Sequence, residues 1–328
     1  MLLQRKSVFG VIFPGKKDSE RETAGNPARG RRYGMGIRQK VSQYYRCGLT
    51  LISPKWNTMY NYRKRFGKKL DFNHPRTLNE KVLWLKFHDY WNNPLIKQCA
   101  DKYRVREYIE SAGCGEILNE LIAVYDSADE IRWDALPESF VLKLNVGCGY
   151  NIIVPDQSKL DREEAKRKLQ TWMNTKYYLD YSEMQYKGVK PVILAERYLK
   201  PKNGLLPEDY KFYCYDGYVP YVMVCTDRQE GGKDPHYWYF NENWEMQMLS
   251  KDALEYGSSA SVPKPDGIDR AFEYARILSR GFPFVRVDLY IVDGKVYFGE
   301  LTFTPSGGLD NERLPETDGI LGSFVKRP

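Results

Sequence analysis

A chain of 328 residues, 42% of them hydrophobic, is long enough for a substantial core and for two or three subdomains sharing one cleft, which sets it apart from a small binding module. No run of about 18 apolar residues occurs, so no transmembrane helix is expected, and the apolar stretch SVFGVIFP at 7–14 is too short, and lacks a clean cleavage site, for a signal peptide. The net charge of +7 belongs to one end: residues 1–70 hold 17 Lys and Arg against 3 Asp and Glu, and the remainder holds 33 against 40.

That basic end, with RGRRYG at 29–34 and RKRFGKK at 63–69, suits an anionic membrane surface or an acidic glycan. Nucleic acid is less supported, because zinc-finger spacing, an RNP-like aromatic motif and a clear helix-turn-helix are all missing. For residues 1–50 a solvated, partly disordered tail is expected. The six cysteines, at 47, 99, 114, 148, 214 and 225, form no C-x-x-C pair and share no spacing with His74, His88 and His236. They read as reduced thiols of a cytoplasmic protein without a zinc site, and the three histidines read as structural.

After the tail, Thr77 and Glu80 match a capping box, and Leu78, Val82 and Leu85 with Trp84 and Phe87 continue it as a helix. A second helix is predicted over 94–111, ending at Gly113, with Ile96, Cys99, Tyr103, Tyr108 and Ile109 as its apolar positions. From Phe140 the pattern turns to β: SFVLKLNV, a glycine loop NVGCGYN at 145–151, then NIIVP. A charged helix over 160–178 is followed by strands at 191–199, 210–228 with Asp216-Gly217 as a hairpin turn, and 236–240. Tyr237, Trp238 and Trp244 read as core aromatics rather than a sugar platform. Asp269 is expected to cap a last helix, RAFEYARILSR, stopped at Gly281. Hairpins mixed with isolated helices and no internal repeat predict an α+β fold with largely antiparallel sheets.

The segment FVRVDLYIVDGKVYFGELTFTPSGG at 284–308 is the most informative. Alternation sends Arg286, Asp288 and Tyr290 to one face of a strand and Val285, Val287, Leu289 and Ile291 to the other. The returning strand groups Val296, Phe298, Glu300 and Thr302. Whether Asp288 and Glu300 share a face depends on the loop, since a one-residue change of register flips every side chain. A three-residue loop, Val292-Asp293-Gly294, with Gly294 left-handed, would put them together; a two-residue Asp293-Gly294 turn would separate them. The three-residue form is expected, because apolar strands of a covered sheet gain nothing from carboxylates on opposite faces. Asp, Glu and a hydroxyl are oxygen ligands suited to Mg²⁺ carrying nucleotide phosphates, although the spacing alone also fits a surface hairpin.

Lys143, Glu196 and Lys211 repeat the theme, each a charge inside an otherwise apolar or aromatic strand. The loop with Gly147 and Gly149 follows Lys143 closely, and its backbone can approach phosphates. It is neither the G-x-x-x-x-G-K-[ST] loop nor the dinucleotide fingerprint. Lys143, Lys211 and Arg286 as cations, with Asp288 and Glu300 as metal-type carboxylates, would neutralise a triphosphate and stabilise charge in phosphoryl transfer.

Six ordered landmarks, HPRTLNEKVLWLK (74–86), ADKYRVREYI (100–109), LPESFVLKLNVGCGYNIIV (136–154), ILAERYL (193–199), DYKFYCYDG (209–217) and VRVDLYIVDGKVYFGELTFTPSGG (285–308), make the chain resemble the ATP-grasp superfamily. More narrowly it is similar to TupA-like proteins associated with teichuronopeptide and other surface-polysaccharide biosynthesis. The resemblance implies two α+β subdomains clamping ATP: a basic segment at 1–60, a helical lead-in at 61–135, a small subdomain at 136–200 and a C-terminal subdomain with the metal site at 201–328. It implies that Lys102 and Lys143 contact phosphates and that the loop of Gly147, Cys148 and Gly149 closes over them. Glu196 and the backbone through Arg197, Tyr198 and Leu199 would hold adenine, with Lys211 near the phosphates. Asp288, Glu300 and, through its hydroxyl, Thr302 would hold Mg²⁺, and Arg286 would face an acyl phosphate. The implied activity joins a carboxylate to an amine, one of them saccharide-linked, in the cytoplasm or at the inner membrane face. A sugar-nucleotide glycosyltransferase, an ATP-grasp kinase and a non-catalytic scaffold are the competing readings. Two positions depart from the family pattern: Thr302 stands where Asn is common, and Val146 and Cys148 stand where His and Ser are frequent.

Overall fold

Helices begin where a tail was expected. The computed structural model describes residues 37–202, 206–227 and 235–326; the stretches at 7–14 and 29–34, and Arg228, lie outside them. Two helices, α1 (Ile37–Ile52) and α2 (Pro54–Phe66), open the described chain. Ser53 caps α2 by accepting from the Trp56 N–H, Pro54 fills its first turn, and Gly67 at φ 71° ends it. Next comes α3 (Leu78–Leu85), with both hydrogen bonds of the Thr77/Glu80 capping box, running into one π turn at Lys86–Tyr90.

The single helix predicted over 94–111 is two, α4 (Pro94–Ala100) and α5 (Val105–Ser111). Asp101 breaks it. Its backbone is extended (ψ 114°), and its carboxylate accepts from the N–H groups of Tyr103 (2.8 Å) and Arg104 (3.2 Å) and from Asn145 Nδ2 (3.0 Å). The Lys102 N–H donates to the Asn145 carbonyl at 2.9 Å, so the break ties Lys102 to the start of the glycine loop.

Strands β1 (Leu121–Tyr125), β2 (Phe140–Leu144), β3 (Asn151–Val154) and β4 (Ile193–Arg197) form an antiparallel sheet in the order β1-β4-β2-β3. The edge strand β1 was not predicted. Between β3 and β4 the expected helix over 160–178 is shorter, α6 (Arg162–Met173), and is followed by the single turn α7 (Tyr178–Tyr181).

A second antiparallel sheet contains β5 (Asp209–Tyr215), β6 (Tyr218–Thr226), β7 (His236–Phe240), β8 (Met246–Gln247), β9 (Val285–Val292) and β10 (Lys295–Thr302), ordered β10-β9-β5-β6-β7-β8. Asp216 (φ 50°) and Gly217 (φ 83°) make the expected two-residue hairpin turn between β5 and β6. Helix α8 (Lys251–Tyr256) packs against β7. The following helix, α9 (Ile268–Leu278), is capped by Gly267 at φ 92° rather than by Asp269, which sits in its first turn and pairs with Lys264 at 2.8 Å. Ala271, Phe272, Ala275 and Leu278 of α9 are buried against one face of the sheet, with Phe272 edge-on to Phe212 at 5.0 Å. The apolar half of each alternating strand is consumed there, and the charged half of β5, β9 and β10 is left for the opposite face. Helix α10 (Pro315–Ser323) closes the chain against α3.

The β9–β10 hairpin corrects one expectation and keeps its consequence. Val292 pairs with Lys295, so the loop is the two-residue turn Asp293-Gly294, both residues at positive φ (52° and 75°). That turn alone would have separated the carboxylates. A bulge at Gly299 inserts one residue between the pairs Phe298–Leu289 and Glu300–Asp288, which restores a common face. A Cβ at Gly299 would lie 2.8 Å from the Asp288 carbonyl oxygen, so the bulge needs a residue without one.

Candidate active site

Cross-strand pairing assembles a charged patch on the face opposite α9. Lys211 pairs with Asp288, Arg286 with Tyr213 and Thr302, and Asp288 with Glu300. Arg286 grips Asp288 through two bonds, Nε to Oδ1 at 2.7 Å and Nη2 to Oδ2 at 2.6 Å. Lys211 Nζ lies 3.2 Å from Asp288 Oδ2 and also bonds the Asp209 carboxylate. Glu300 Oε1 accepts from Thr302 Oγ1 at 2.9 Å, Glu300 Oε2 lies 3.5 Å from Lys102 Nζ, and Arg286 Nη2 lies 4.0 Å from Glu300 Oε1. Lys102 Nζ also donates to the Gly147 carbonyl, which links this patch to the glycine loop.

The two carboxylates sit in different surroundings. The Asp288 side chain is 3% exposed and that of Glu300 29%. Burial pushes Asp288 above the ordinary carboxylate value despite the pull of Arg286 and Lys211. Burial pushes Glu300 the same way, but Lys102, Arg286 and Lys211 pull harder and hold it below its ordinary value. The same charges reach the loop tip. Burial and Glu300 push the Cys148 thiol up to about 11, while Lys102, Arg286 and Lys211 pull it down. Cys148 therefore shares the electrostatic surroundings of the carboxylates, and the glycine loop borders their patch. Gly147 (φ 78°) and Gly149 (φ 75°) give the loop its shape, and a Cβ on Gly147 would come within 2.6 Å of the Tyr177 ring.

The remaining sequence candidates lie on the smaller sheet. Lys143 Nζ is 2.7 Å from Glu196 Oε2, a pair of its own. Arg197 points outward to Glu120 at 2.5 Å, and its backbone N–H and carbonyl are engaged by the Glu120 carbonyl (3.0 Å) and Asn119 Nδ2 (2.8 Å). Tyr198 and Leu199 follow, half-buried. The sequence reading missed Asp209, although the alternation that selects Lys211 and Tyr213 also selects position 209. It also missed the buried support behind the site, where Thr304 Oγ1 donates to Glu183 Oε1 at 2.7 Å and Gln185 Nε2 donates to Thr304 Oγ1 at 3.0 Å.

The donor set fits Mg²⁺. Two carboxylates stand directly opposite one another with a hydroxyl beside them, all hard oxygen donors. Among the described residues no group of three or more His, Cys, Asp or Glu forms a closed metal cage. Mg²⁺ characteristically takes one or two carboxylates and completes its shell with phosphate and water oxygens. Thr302, in the position where Asn is common, already bonds Glu300 and lies 3.4 Å from Arg286 Nη2.

Compared with models of known families, residues 80–326 match the TupA-like ATP-grasp family. The chain belongs to that family. Among solved structures it is similar to D-alanine–D-alanine ligase from Bacillus anthracis complexed with ATP, at 16% identity over 70% of this chain and 65% of that one, with a TM-score of 0.40. It is likewise similar to the L-amino acid ligase from Bacillus licheniformis (15% identity, 84% of this chain, 59% of that one, TM-score 0.44) and to D-alanine–D-alanine ligase from Helicobacter pylori (14%, 76%, 69%, TM-score 0.40). The chain spans less than two thirds of the length of the first and second of these three. No curated protein sequence matches it. In this TupA-like ATP-grasp protein, residues 80–326 include both sheets, the glycine loop and the whole carboxylate patch. Helices α1 and α2 both precede the matched residues, and no described helix is long and apolar enough to cross a membrane.

Proposed function

We propose that this protein is an ATP- and Mg²⁺-dependent carboxylate-amine ligase that joins an amino acid or amino sugar to a saccharide precursor during surface-polysaccharide biosynthesis. The observation that carries the reading is the patch itself: Lys102, Lys211 and Arg286 surround Asp288 and Glu300 on one sheet face beside a glycine loop. ATP, as co-substrate, supplies the phosphoryl group that turns the carboxylate into an acyl phosphate, and Mg²⁺ supplies charge neutralisation at the phosphates.

The chain's own residues divide the remaining work. Asp288 and Glu300 hold the metal, with Thr302 beside them. Lys102, Lys143 and the loop of Gly147, Cys148 and Gly149 cover phosphate oxygens, and Lys211 neutralises charge next to them. Arg286 faces the oxygens that gain charge as the amine adds to the acyl carbon, with phosphate leaving as the amide forms. Glu196 and the backbone of Arg197, Tyr198 and Leu199 hold the adenine. The Lys143–Glu196 pair opens to admit the nucleotide. The halves of the clamp are 136–200 and 201–328, with β1 added to the first from the lead-in at 61–135. The compartment is the cytoplasm, where all six cysteines stay reduced.

ATP should raise the unfolding temperature in a Mg²⁺-dependent way, by mass action on the folded state. Asp288→Asn and Lys143→Ala should fold and lose nucleotide turnover; unchanged turnover in both would overturn the proposal. With acid and amine supplied together, a ligase releases ADP and inorganic phosphate. ADP without phosphate would make it a kinase, and stabilisation by UDP-sugars but not ATP a glycosyltransferase.

A further inference from the structure

Helix α1 is inside out. A surface helix of a globular protein turns its apolar stripe to the core and its polar side to water. Here the side facing the protein is polar. Arg46 Nε reaches Asp180 Oδ1 at 2.5 Å, and Thr50 Oγ1 donates to the Leu179 carbonyl at 2.6 Å and lies 2.8 Å from Ser182 Oγ. From α2, Asn57 Nδ2 completes the anchor with Thr50 Oγ1 (2.8 Å) and the Asp180 carbonyl (2.9 Å). At 3.6 residues per turn, Val41, Tyr45 and Ile52 fall within about 40° of one line, Tyr44 and Leu51 adjoin it, and Arg46 and Thr50 lie opposite. All five of those apolar side chains are exposed, Tyr44 by 75%, Leu51 by 72% and Ile52 by 71%. Trp56 and Met59 of α2 are exposed as well.

The charge around this apolar face has one sign. Residues 37–70 contain Lys and Arg throughout and no Asp or Glu. We propose that the outer face of the α1–α2 hairpin docks on an anionic lipid bilayer, lying in the interface with its axis along the surface. Tyr44, Tyr45 and Trp56 suit the headgroup level, Val41, Leu51 and Ile52 the acyl boundary, and the surrounding Lys and Arg the lipid phosphates. Charge decides against the other occupants. A second copy docking by two-fold symmetry would bring one excess of cations against another, and a nucleic acid offers nothing to Leu51 and Ile52. The inference stands apart from the ligase reading, because none of these residues belongs to the carboxylate patch.

The test is co-sedimentation of the full chain with vesicles of phosphatidylcholine alone and of phosphatidylcholine mixed equally with phosphatidylglycerol. Binding should be restricted to the mixed vesicles, weaken as salt is raised, and fall about tenfold or more in the double variant Leu51→Glu/Ile52→Glu and in Arg38→Glu/Lys40→Glu. Both variants should keep the parent's unfolding temperature and its ATP-induced shift, since the altered side chains do not anchor the hairpin. Equal binding to both vesicles, no binding, unchanged binding by Leu51→Glu/Ile52→Glu, or self-association or RNA binding in place of lipid binding would each overturn the proposal.

Discussion

Two arginines show how the same pairing of charges serves different ends. Arg286 lies on a strand, 12% exposed, gripping Asp288 at the edge of a patch that Glu300 opens to solvent. Arg313 lies in the loop before α10, 4% exposed, with Nη2 bonded to Asn79 Oδ1 at 2.9 Å and 3.3 Å from Asp318 Oδ1. Asp318 in turn accepts from the N–H (3.2 Å) and Nδ2 (3.1 Å) of Asn79, so the Arg313 assembly fastens α10 to α3. Its Nε and Nη1 have no hydrogen-bond partner among the described residues, Nε lying 3.6 Å from Asp310. The Arg286 patch instead presents three cations and two carboxylates whose present bonds to each other can be exchanged for phosphate and metal. A closed charge cluster holds elements together, whereas an open one has ligands to gain.

Substituting methionine at each position tests that difference. Arg313→Met leaves the buried Asp318 and the half-buried Asp310 without their cation, which costs about 3–5 kcal/mol of stability. It should be read as a large fall in unfolding temperature, while ADP formation per folded molecule stays near the parent's. Arg286→Met should do the reverse. Lys211 remains 3.2 Å from Asp288, so folding is largely kept, but turnover should fall about 100- to 1,000-fold, as for loss of one oxyanion donor. Equal effects on stability and turnover in both variants would erase the distinction.

A smaller effect is expected from the bulge that aligns the open patch. Gly299→Ala places a methyl 2.8 Å from the Asp288 carbonyl oxygen and 3.2 Å from the Tyr290 ring. Overpacking of this kind costs about 1–3 kcal/mol. Displacement of Asp288 from Glu300 should weaken the Mg²⁺-dependent part of the ATP shift more than the Mg²⁺-independent part. A thermal-shift titration of Mg²⁺ at fixed ATP checks this, and an unchanged titration would show that the bulge does not set the metal geometry.

What could be read in advance follows the same division. Strand alternation exposes Lys143, Glu196, Lys211, Arg286, Asp288 and Glu300 because a charge in an apolar strand is a local anomaly, and the Thr77/Glu80 capping box is equally local. The features that escaped depend on partners distant in the chain. Gly299 is a bulge only through its pairing across to β9, and the break at Asp101 is held by Asn145, 44 residues away. Arg313 stands in a polar loop where a charge is no anomaly. Helix α1 looks like tail in the sequence because its polar side, which ordinarily marks solvent, is the side that meets α7 and the Ser182 turn.

A third charge, the buried Lys86, tells which kind it is by its response to pH. It lies in the π turn after α3, 1% exposed, with Nζ donating to the Tyr181 carbonyl at 2.5 Å and to Thr58 Oγ1 at 3.3 Å. Burial pulls its ammonium down to about 8, with the negative charge of Glu183 opposing that pull. The folded value lies below the unfolded one of 10.5, so between them the unfolded chain binds more protons. Stability then rises with pH through that window, by at most about 1.4 kcal/mol per pH unit. Below about pH 8 both states are protonated and the contribution is constant. In Lys86→Met this contribution should vanish, so the parent should gain stability relative to the variant as chemical denaturation is followed from pH 8 to pH 9.5; the buried thiols of Cys99, Cys114, Cys148 and Cys214, which burial pushes up, titrate alike in both chains and cancel in the difference. If Lys86 belongs with Arg313 as a structural charge, ATP should leave the difference between the two profiles unchanged. If ATP removes it, the network of Lys86, Glu183 and Thr304 is coupled to the patch in front of it, and the closed and open kinds of charge form one system.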